Sequence, residues 1–186
     1  MRIFFAVLLA ASLGSLSFAE LMTTPRRSPE FAILMPGGGQ LLLSSYRGKV
    51  VLLEFLVTTC SHCQHEAQVV SKLYEEFAPR GFQALGVAFD TTDPAAVANF
   101  SRNFQVKFPV GFSPRPPVTD YLNVSATNRL MVPQVVLIDR KGMIRVQTPP
   151  EGDARMQDET FLRSQIEELL KEPAGVHHPV AAHKHP

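Results

Sequence analysis

The sequence predicts an α/β protein folded as a three-layer α/β/α sandwich, and three observations lead to this expectation. Two nearly unbroken apolar runs of strand length, residues 49–57 and 82–89, are each followed by a segment with helical spacing. A strand, a tight turn and a second strand at residues 134–148 indicate an antiparallel hairpin. An amphipathic helix is predicted at residues 158–170. Apolar strands that alternate with helices are typical of a sheet covered on both faces.

The individual elements have their own signals in chain order. Gly48 and Thr58 bound the first strand, and the helix that follows it ends before Pro79. The residues expected on its inner face are Val69, Val70, Leu73 and Phe77. Asp93 is expected to cap the next helix. A short strand at residues 107–111 and a brief helix near residues 118–122 complete the middle of the domain.

The composition fits one domain and disfavours nucleic acid as a partner. The chain has 186 residues, of which 45% are hydrophobic and 19% are charged, proportions that support an apolar core. The 18 Lys and Arg residues nearly cancel the 17 Asp and Glu residues. No basic field is therefore available to hold nucleic acid or an anionic membrane.

The start of the chain is typical of a secretory signal peptide. Arg2 precedes an apolar run, and Ser17 and Ala19 occupy the small-residue positions before a cleavage point. We expect residues 1–19 to be removed, with a retained membrane anchor as the alternative. The mature protein is then periplasmic or secreted, in a compartment where disulfides form and persist.

The remaining chain divides into three segments. Residues 20–30 are expected to be a linker, residues 31–172 the folded domain, and residues 173–186 a disordered tail rich in histidine and proline. Four of the six histidines are in that tail: His177, His178, His183 and His185. Scavenging of a divalent metal ion by these imidazoles is an alternative role.

Cys60 and Cys63 are the only cysteines, and they lie where the first buried strand gives way to its helix. The positive end of a helix favours a thiolate over a thiol, so Cys60 is expected to be the nucleophile and Cys63 the resolving thiol. A structural disulfide is disfavoured because so short a ring removes little entropy from the unfolded chain. A metal centre needs about four ligands, and nearby only His62, His65 and Glu66 would add to the sulfurs.

Two stretches carry a family resemblance. "VVLLEFLVTTCSHC" resembles the active-site strand and C-x-x-C helix of the thioredoxin superfamily, and "MVPQVVLIDRKGMI" is similar to its strand that begins with a cis-proline. Across residues 31–170 the chain is similar to the secreted TlpA/ResA-like branch, which is related to the AhpC/TSA redoxins. This resemblance implies a thioredoxin-like fold with an N-terminal extension and a central helix–strand insertion.

The resemblance also implies roles for residues around the cysteines. Pro133 is expected to be the cis-proline, with the backbone of Val132 pairing with a substrate peptide; an ordinary proline that opens a strand is the alternative. Glu54 falls where relatives carry a buried carboxylate that exchanges a proton with the resolving thiol, the alternative being a paired strand residue. Glu66 matches an acidic position of ResA-like members, although a solvated helix carboxylate fits equally well.

The residues that flank Cys60 complete the predicted site. His62, when protonated, is expected to stabilise the Cys60 thiolate and to make the couple more oxidising than that of thioredoxin. Thr59 and Ser61 are expected to contact the substrate, with Thr59 replacing the aromatic residue that is common before the first cysteine. Similarly, Gln134 replaces a threonine that is frequent after the cis-proline.

These features predict an extracytoplasmic thiol–disulfide oxidoreductase that acts on protein thiols and disulfides. We expect no metal and no cofactor other than the Cys60–Cys63 disulfide, and a membrane or periplasmic electron donor. One alternative is a peroxiredoxin-like thiol peroxidase, but Leu53 and Val57 stand where that class has its proline and threonine. The other alternative is a copper- or zinc-binding protein without catalytic activity.

Overall fold

The structure is a computed structural model that describes residues 24–173. The predicted signal peptide and nearly all of the histidine-rich tail lie outside the described residues. The strands are β1 (Arg26–Arg27), β2 (Ala32–Leu34), β3 (Gln40–Leu42), β4 (Val50–Leu56), β5 (Phe82–Ala88), β6 (Val110–Phe112), β7 (Gln134–Ile138) and β8 (Met143–Gln147). The α-helices are α1 (Ser61–Phe77), α2 (Pro94–Asn103), α3 (Arg115–Leu122) and α4 (Glu159–Lys171).

The strands form one mixed sheet in the order β1-β8-β7-β4-β5-β6-β2-β3. β4 and β5, the two apolar runs of the sequence, pair in parallel at its centre and are buried along their whole lengths. β7 pairs antiparallel with the other side of β4, and β8 returns beside β7 as the predicted hairpin. Strands that are covered on both faces need apolar side chains on both, which explains the unbroken runs.

Helices cover both faces of the sheet and thereby confirm the three-layer sandwich. α1, α2 and α4 contribute to a core on one face, which we call the α1-side core. α3 packs on the opposite face, in what we call the α3-side core. Asp93 caps α2 by accepting a hydrogen bond from Ala95 N at 2.9 Å, as predicted. Asp158 does the same for α4 by accepting from Phe161 N at 2.8 Å.

The structure differs from the sequence prediction at the short central strand. The strand occupies Val110–Phe112, three residues later than its predicted start at residue 107. The Lys107 amide donates to Ser71 Oγ at 3.1 Å, so it is not available to a neighbouring strand. Pro109 has no amide hydrogen to give to a ladder. Pairing with β5 therefore begins only beyond it.

The N-terminal segment adds three strands that carry no strong periodic signal. β1 pairs with β8 through Arg26 and Arg27, so the sheet reaches into the segment expected to be a linker. β2 and β3 form a hairpin at the opposite edge, and Leu34 of β2 pairs with Phe112. Strands of two or three residues are too short to show a period of two in the sequence, so no alternating pattern marks them.

Candidate active site

The two cysteines differ in their access to solvent. Cys60 is the N-cap residue of α1 and is partly exposed, whereas Cys63, in the first turn, is fully buried. The Val57 amide donates to Cys63 Sγ at 3.4 Å, and the Cys60 side chain is a close neighbour of Cys63. Both are free thiols. The geometry thus places one accessible sulfur beside one enclosed sulfur.

A carboxylate that the sequence analysis missed holds the loop between β4 and Cys60. Both Asp90 carboxylate oxygens lie 3.1 Å from the Thr58 amide, and Asp90 Oδ2 accepts from the Thr58 hydroxyl at 2.7 Å. Gln64 Nε2 donates to Thr58 O at 3.0 Å. Asp90 lies two residues after the end of β5, and the carboxyl ends of parallel neighbours meet at one edge of a sheet. The position of Asp90 just after the second buried strand is therefore a signal that was present in the sequence.

Glu54 and Glu66 are buried behind the cysteines. Both residues have no exposed surface, and Glu54 lies on the face of β4 that Leu52 and Leu56 share with the α1-side core. None of their four carboxyl oxygens has a hydrogen-bond partner among the described residues. The alternatives of a paired strand residue for Glu54 and a solvated carboxylate for Glu66 are therefore wrong.

Burial raises the proton affinity of Glu54, Glu66 and Cys63. It raises the pKa of the Glu66 carboxyl to about 8. Burial is also the main cause that raises the pKa of Glu54 well above its ordinary value, and the neighbouring Glu66 charge adds to the rise. Burial likewise raises the pKa of the Cys63 thiol, to which the Glu54 charge contributes. The three groups are thus held in their protonated forms and coupled electrostatically.

This burial predicts a stability that declines as pH rises. Glu66 has a pKa of about 8 in the folded protein against an ordinary value of 4.5. Between these values the folded state binds more protons than the unfolded state, so the unfolding free energy falls as pH increases. The loss is about 1.4 kcal/mol for each pKa unit and is complete above about pH 8. The unfolding free energy, measured by urea unfolding at several pH values from 4.5 to 9, shows this loss.

Glu66→Gln is expected to reduce this pH dependence by the share of Glu66, because residue 66 then has no carboxyl to ionise; Glu54, whose pKa burial also raises, keeps its own share. Glu75→Gln is the matched control, since it makes the same change at an exposed position of α1. Equal slopes for wild type and Glu66→Gln would contradict the assignment.

The cis-proline prediction is confirmed, since the Val132–Pro133 peptide bond is cis. Gln134, the next residue, pairs with Phe55, and β4 ends one residue later at Leu56. Pro133 therefore lies at the end of the sheet from which the Cys60 loop departs. The roles of Pro133 and Val132 in substrate binding stay predictions.

The polar neighbours of the cysteines are on the surface. Thr59, Ser61, His62 and His65 are exposed. The predicted substrate contacts of Thr59 and Ser61, and the predicted effect of His62 on Cys60, stay predictions. Within residues 24–173, no group of three or more His, Cys, Asp or Glu side chains is placed to hold a metal ion.

A pair of thiols at the start of the helix after a central strand, beside a strand that begins with a cis-proline, defines a thioredoxin-like redox protein. A profile of the AhpC/TSA family matches residues 26–147. The chain belongs to this family and, within the thioredoxin superfamily, is ResA-like.

Individual relatives agree with this class. The thiol–disulfide oxidoreductase ResA of Bacillus cereus is 27% identical over 158 residues, which are 85% of this chain and 83% of the relative. The solution structure of a putative protein disulfide isomerase from Bacteroides thetaiotaomicron has a TM-score of 0.66 at 28% identity, covering 82% of this chain and 92% of that one.

A further solved structure shows the shared fold. It is a putative thiol:disulfide interchange protein DsbE from Chlorobium tepidum, with a TM-score of 0.64 at 24% identity over 80% of this chain and 99% of that one. The ResA relatives place the protein among the thiol–disulfide oxidoreductases, which are redox enzymes.

Proposed function

We propose that the protein is an extracytoplasmic enzyme that exchanges disulfides with protein substrates through Cys60 and Cys63. The observation that carries this proposal is the difference in burial between the two sulfurs. A substrate disulfide has access to the partly exposed Cys60, whereas Cys63 is enclosed beside it. This arrangement supports a first attack by Cys60 and a second by Cys63.

The reductive direction proceeds in two exchange steps. The Cys60 thiolate attacks a substrate disulfide, whose S–S bond breaks as a mixed disulfide forms, and one substrate sulfur leaves as a thiolate that takes up a proton. Cys63 then loses its proton and attacks the Cys60 sulfur, which releases the second substrate thiol. The substrate gains two electrons and two protons, and the enzyme becomes a disulfide. The reverse steps insert a disulfide into a substrate.

Regeneration requires a further exchange with a dithiol donor. We propose a membrane or periplasmic protein for this role and no cofactor beyond the Cys60–Cys63 disulfide. Secreted proteins are the proposed substrates, including apocytochromes or copper-handling proteins, as the resemblance implies. The signal-peptide pattern of residues 1–19 supports the location. No helix within residues 24–173 has the length and the hydrophobicity that a membrane crossing requires.

The thiol peroxidase alternative is disfavoured by the loop before Cys60. Val57, at the position of the threonine hydroxyl that peroxidases need, has an apolar side chain. The nearest hydroxyl, that of Thr58, donates to Asp90 at 2.7 Å and is one residue out of register. The metal-binding alternative depends on the tail histidines, which lie outside the described residues.

An insulin-reduction assay tests the proposal. The full chain is expressed, recovered from the extracytoplasmic fraction and incubated with insulin and dithiothreitol, and precipitation of the reduced insulin chain is followed by turbidity. Wild type is expected to accelerate precipitation, and Cys60→Ala to show only the dithiothreitol background. Equal rates for the two proteins would overturn the proposed activity, and retention in the cytoplasm with residues 1–19 uncleaved would overturn the location.

A further inference from the structure

A buried amide bridges the two segments beside the cis-proline. Gln134 is the first residue of β7, follows Pro133 directly and has no exposed surface. Its Nε2 donates to Met131 O at 2.7 Å and to Pro149 O at 3.1 Å. Met131 and Pro149 belong to segments on either side of the β7–β8 hairpin. One side chain therefore connects the segment that leads into the cis-proline with the segment that leaves β8.

A side-chain donor is needed here because the local backbone has few of its own. Pro133, Pro149 and Pro150 have no amide hydrogen. The one backbone hydrogen bond that directly joins the two segments runs, among the described residues, from Met131 N to Pro150 O at 2.9 Å. The Met131 carbonyl accepts its hydrogen bond from the Gln134 amide, whereas the Pro149 carbonyl accepts from Gln134 and also from Gly152 N at 2.8 Å. A threonine has one hydroxyl hydrogen and donates to one carbonyl at a time.

The orientation of the Gln134 amide follows from its partners. Both are carbonyl oxygens, which only accept hydrogen bonds, so the nitrogen faces them. The oxygen, Oε1, is then buried without a partner among the described residues. A buried acceptor left unpaired is unfavourable, and its presence in the core indicates that the bridge made by the nitrogen is the function of the side chain.

The bridge is separated from the sulfur chemistry. Gln134 pairs with Phe55, and both side chains lie on the sheet face of the α3-side core. Glu54 and Cys63 belong to the opposite face. A change at Gln134 therefore alters the backbone position of residues 131–133 without contacting the thiols or the carboxyls that serve them.

We propose that Gln134 is a positioning residue that fixes residues 131–133 in the conformation needed to bind a protein substrate as an added strand. This inference rests on the proposed function, because it concerns the substrate-binding segment of that same site. A small disulfide that reacts at Cys60 alone does not use this segment. Gln134 thus favours protein substrates over small ones.

Gln134→Met tests the proposal by removing the bridge while keeping the volume of the side chain. We expect the KM for insulin to rise about tenfold with kcat unchanged, the effect of losing hydrogen bonds that order the binding segment. The rate of reaction of the reduced enzyme with the small disulfide DTNB is expected to stay within about twofold of wild type. Equal losses with insulin and DTNB, or no change with insulin, would overturn the proposal.

The matched control is Gln83→Met, which removes a buried glutamine from β5. Gln83 Nε2 donates to Ala84 O at 3.0 Å, and Gln83 pairs with Val51 at the end of the sheet remote from Cys60. Its KM for insulin is expected to match wild type. A tenfold rise in the KM of this control for insulin would show that the loss of any buried glutamine weakens substrate binding. That result would also overturn the proposal.

Gln134→Glu supplies a second test, which does not require the fold to tolerate a methionine at this position. A protonated carboxyl at this position donates to one carbonyl, whereas the ionised form donates to neither. The KM of this variant for insulin should rise with pH relative to wild type, and parallel profiles would count against the bridge. If wild type fails to react with both insulin and DTNB, the proposed function itself is wrong.

Discussion

Cys63→Ser is expected to accumulate a covalent complex with its disulfide substrate, because the second exchange step has lost its nucleophile. Cys60 remains partly exposed and attacks as in wild type. The mixed disulfide then persists, since the enclosed position that resolves it carries a hydroxyl. Serine preserves the volume at this buried site, and its oxygen accepts the hydrogen bond that Val57 N makes to Cys63 Sγ at 3.4 Å. The fold is therefore expected to tolerate the change.

Nonreducing gel electrophoresis and intact mass measure this complex after incubation with oxidised insulin or a disulfide-bonded peptide. We expect one substrate chain per protein molecule, released by dithiothreitol. The matched control is Cys60→Ser, which is expected to form no complex because Cys63 has no access to the substrate. A complex of equal yield with Cys60→Ser would mean that Cys63 also attacks the substrate, which contradicts the proposed division of roles.

Much of the fold could be predicted because its central strands carry patterns that burial requires. β4 and β5 are apolar on both faces, and a capping aspartate marks the start of α2. β1 could not be predicted in this way, since its two arginines show no apolar pattern: they pair with the β8 backbone, and Arg26 Nη2 donates to Gln147 Oε1 of β8 at 2.7 Å. Backbone pairing at an edge leaves no trace in side-chain periodicity.

The candidate site was predictable where a local motif encodes it and unpredictable where distant segments meet. Glu66 lies three residues after Cys63 and four before Val70, so helical spacing places it on the buried face of α1. That signal was available, although the ordinary preference of glutamate for solvent opposed it. The contact of Gln134 with Pro149 depends on a hairpin bringing together residues 15 apart, which no local pattern specifies.

Glu54→Gln is expected to slow the resolving step by about 100-fold, the typical contribution of a positioned general base. Cys63 must lose a proton before it attacks Cys60, and burial raises the pKa of its thiol. Glu54 is the buried carboxyl whose charge acts on Cys63, and no hydrogen-bond partner among the described residues competes for it. Rapid quenching of the mixed disulfide with a small substrate measures the step directly. Resolution at the wild-type rate would contradict this role.

The pH profile of resolution distinguishes a base from a packing residue. Glu54 accepts a proton only when ionised, so the wild-type rate is expected to rise through the elevated pKa of Glu54, and this inflection should be absent in Glu54→Gln. Glu66 adds to the elevation of that pKa through its charge. Glu66→Gln is therefore expected to keep the inflection and to move it to lower pH. A profile that moves to higher pH, or an inflection that survives in Glu54→Gln, would assign the proton transfer to another group.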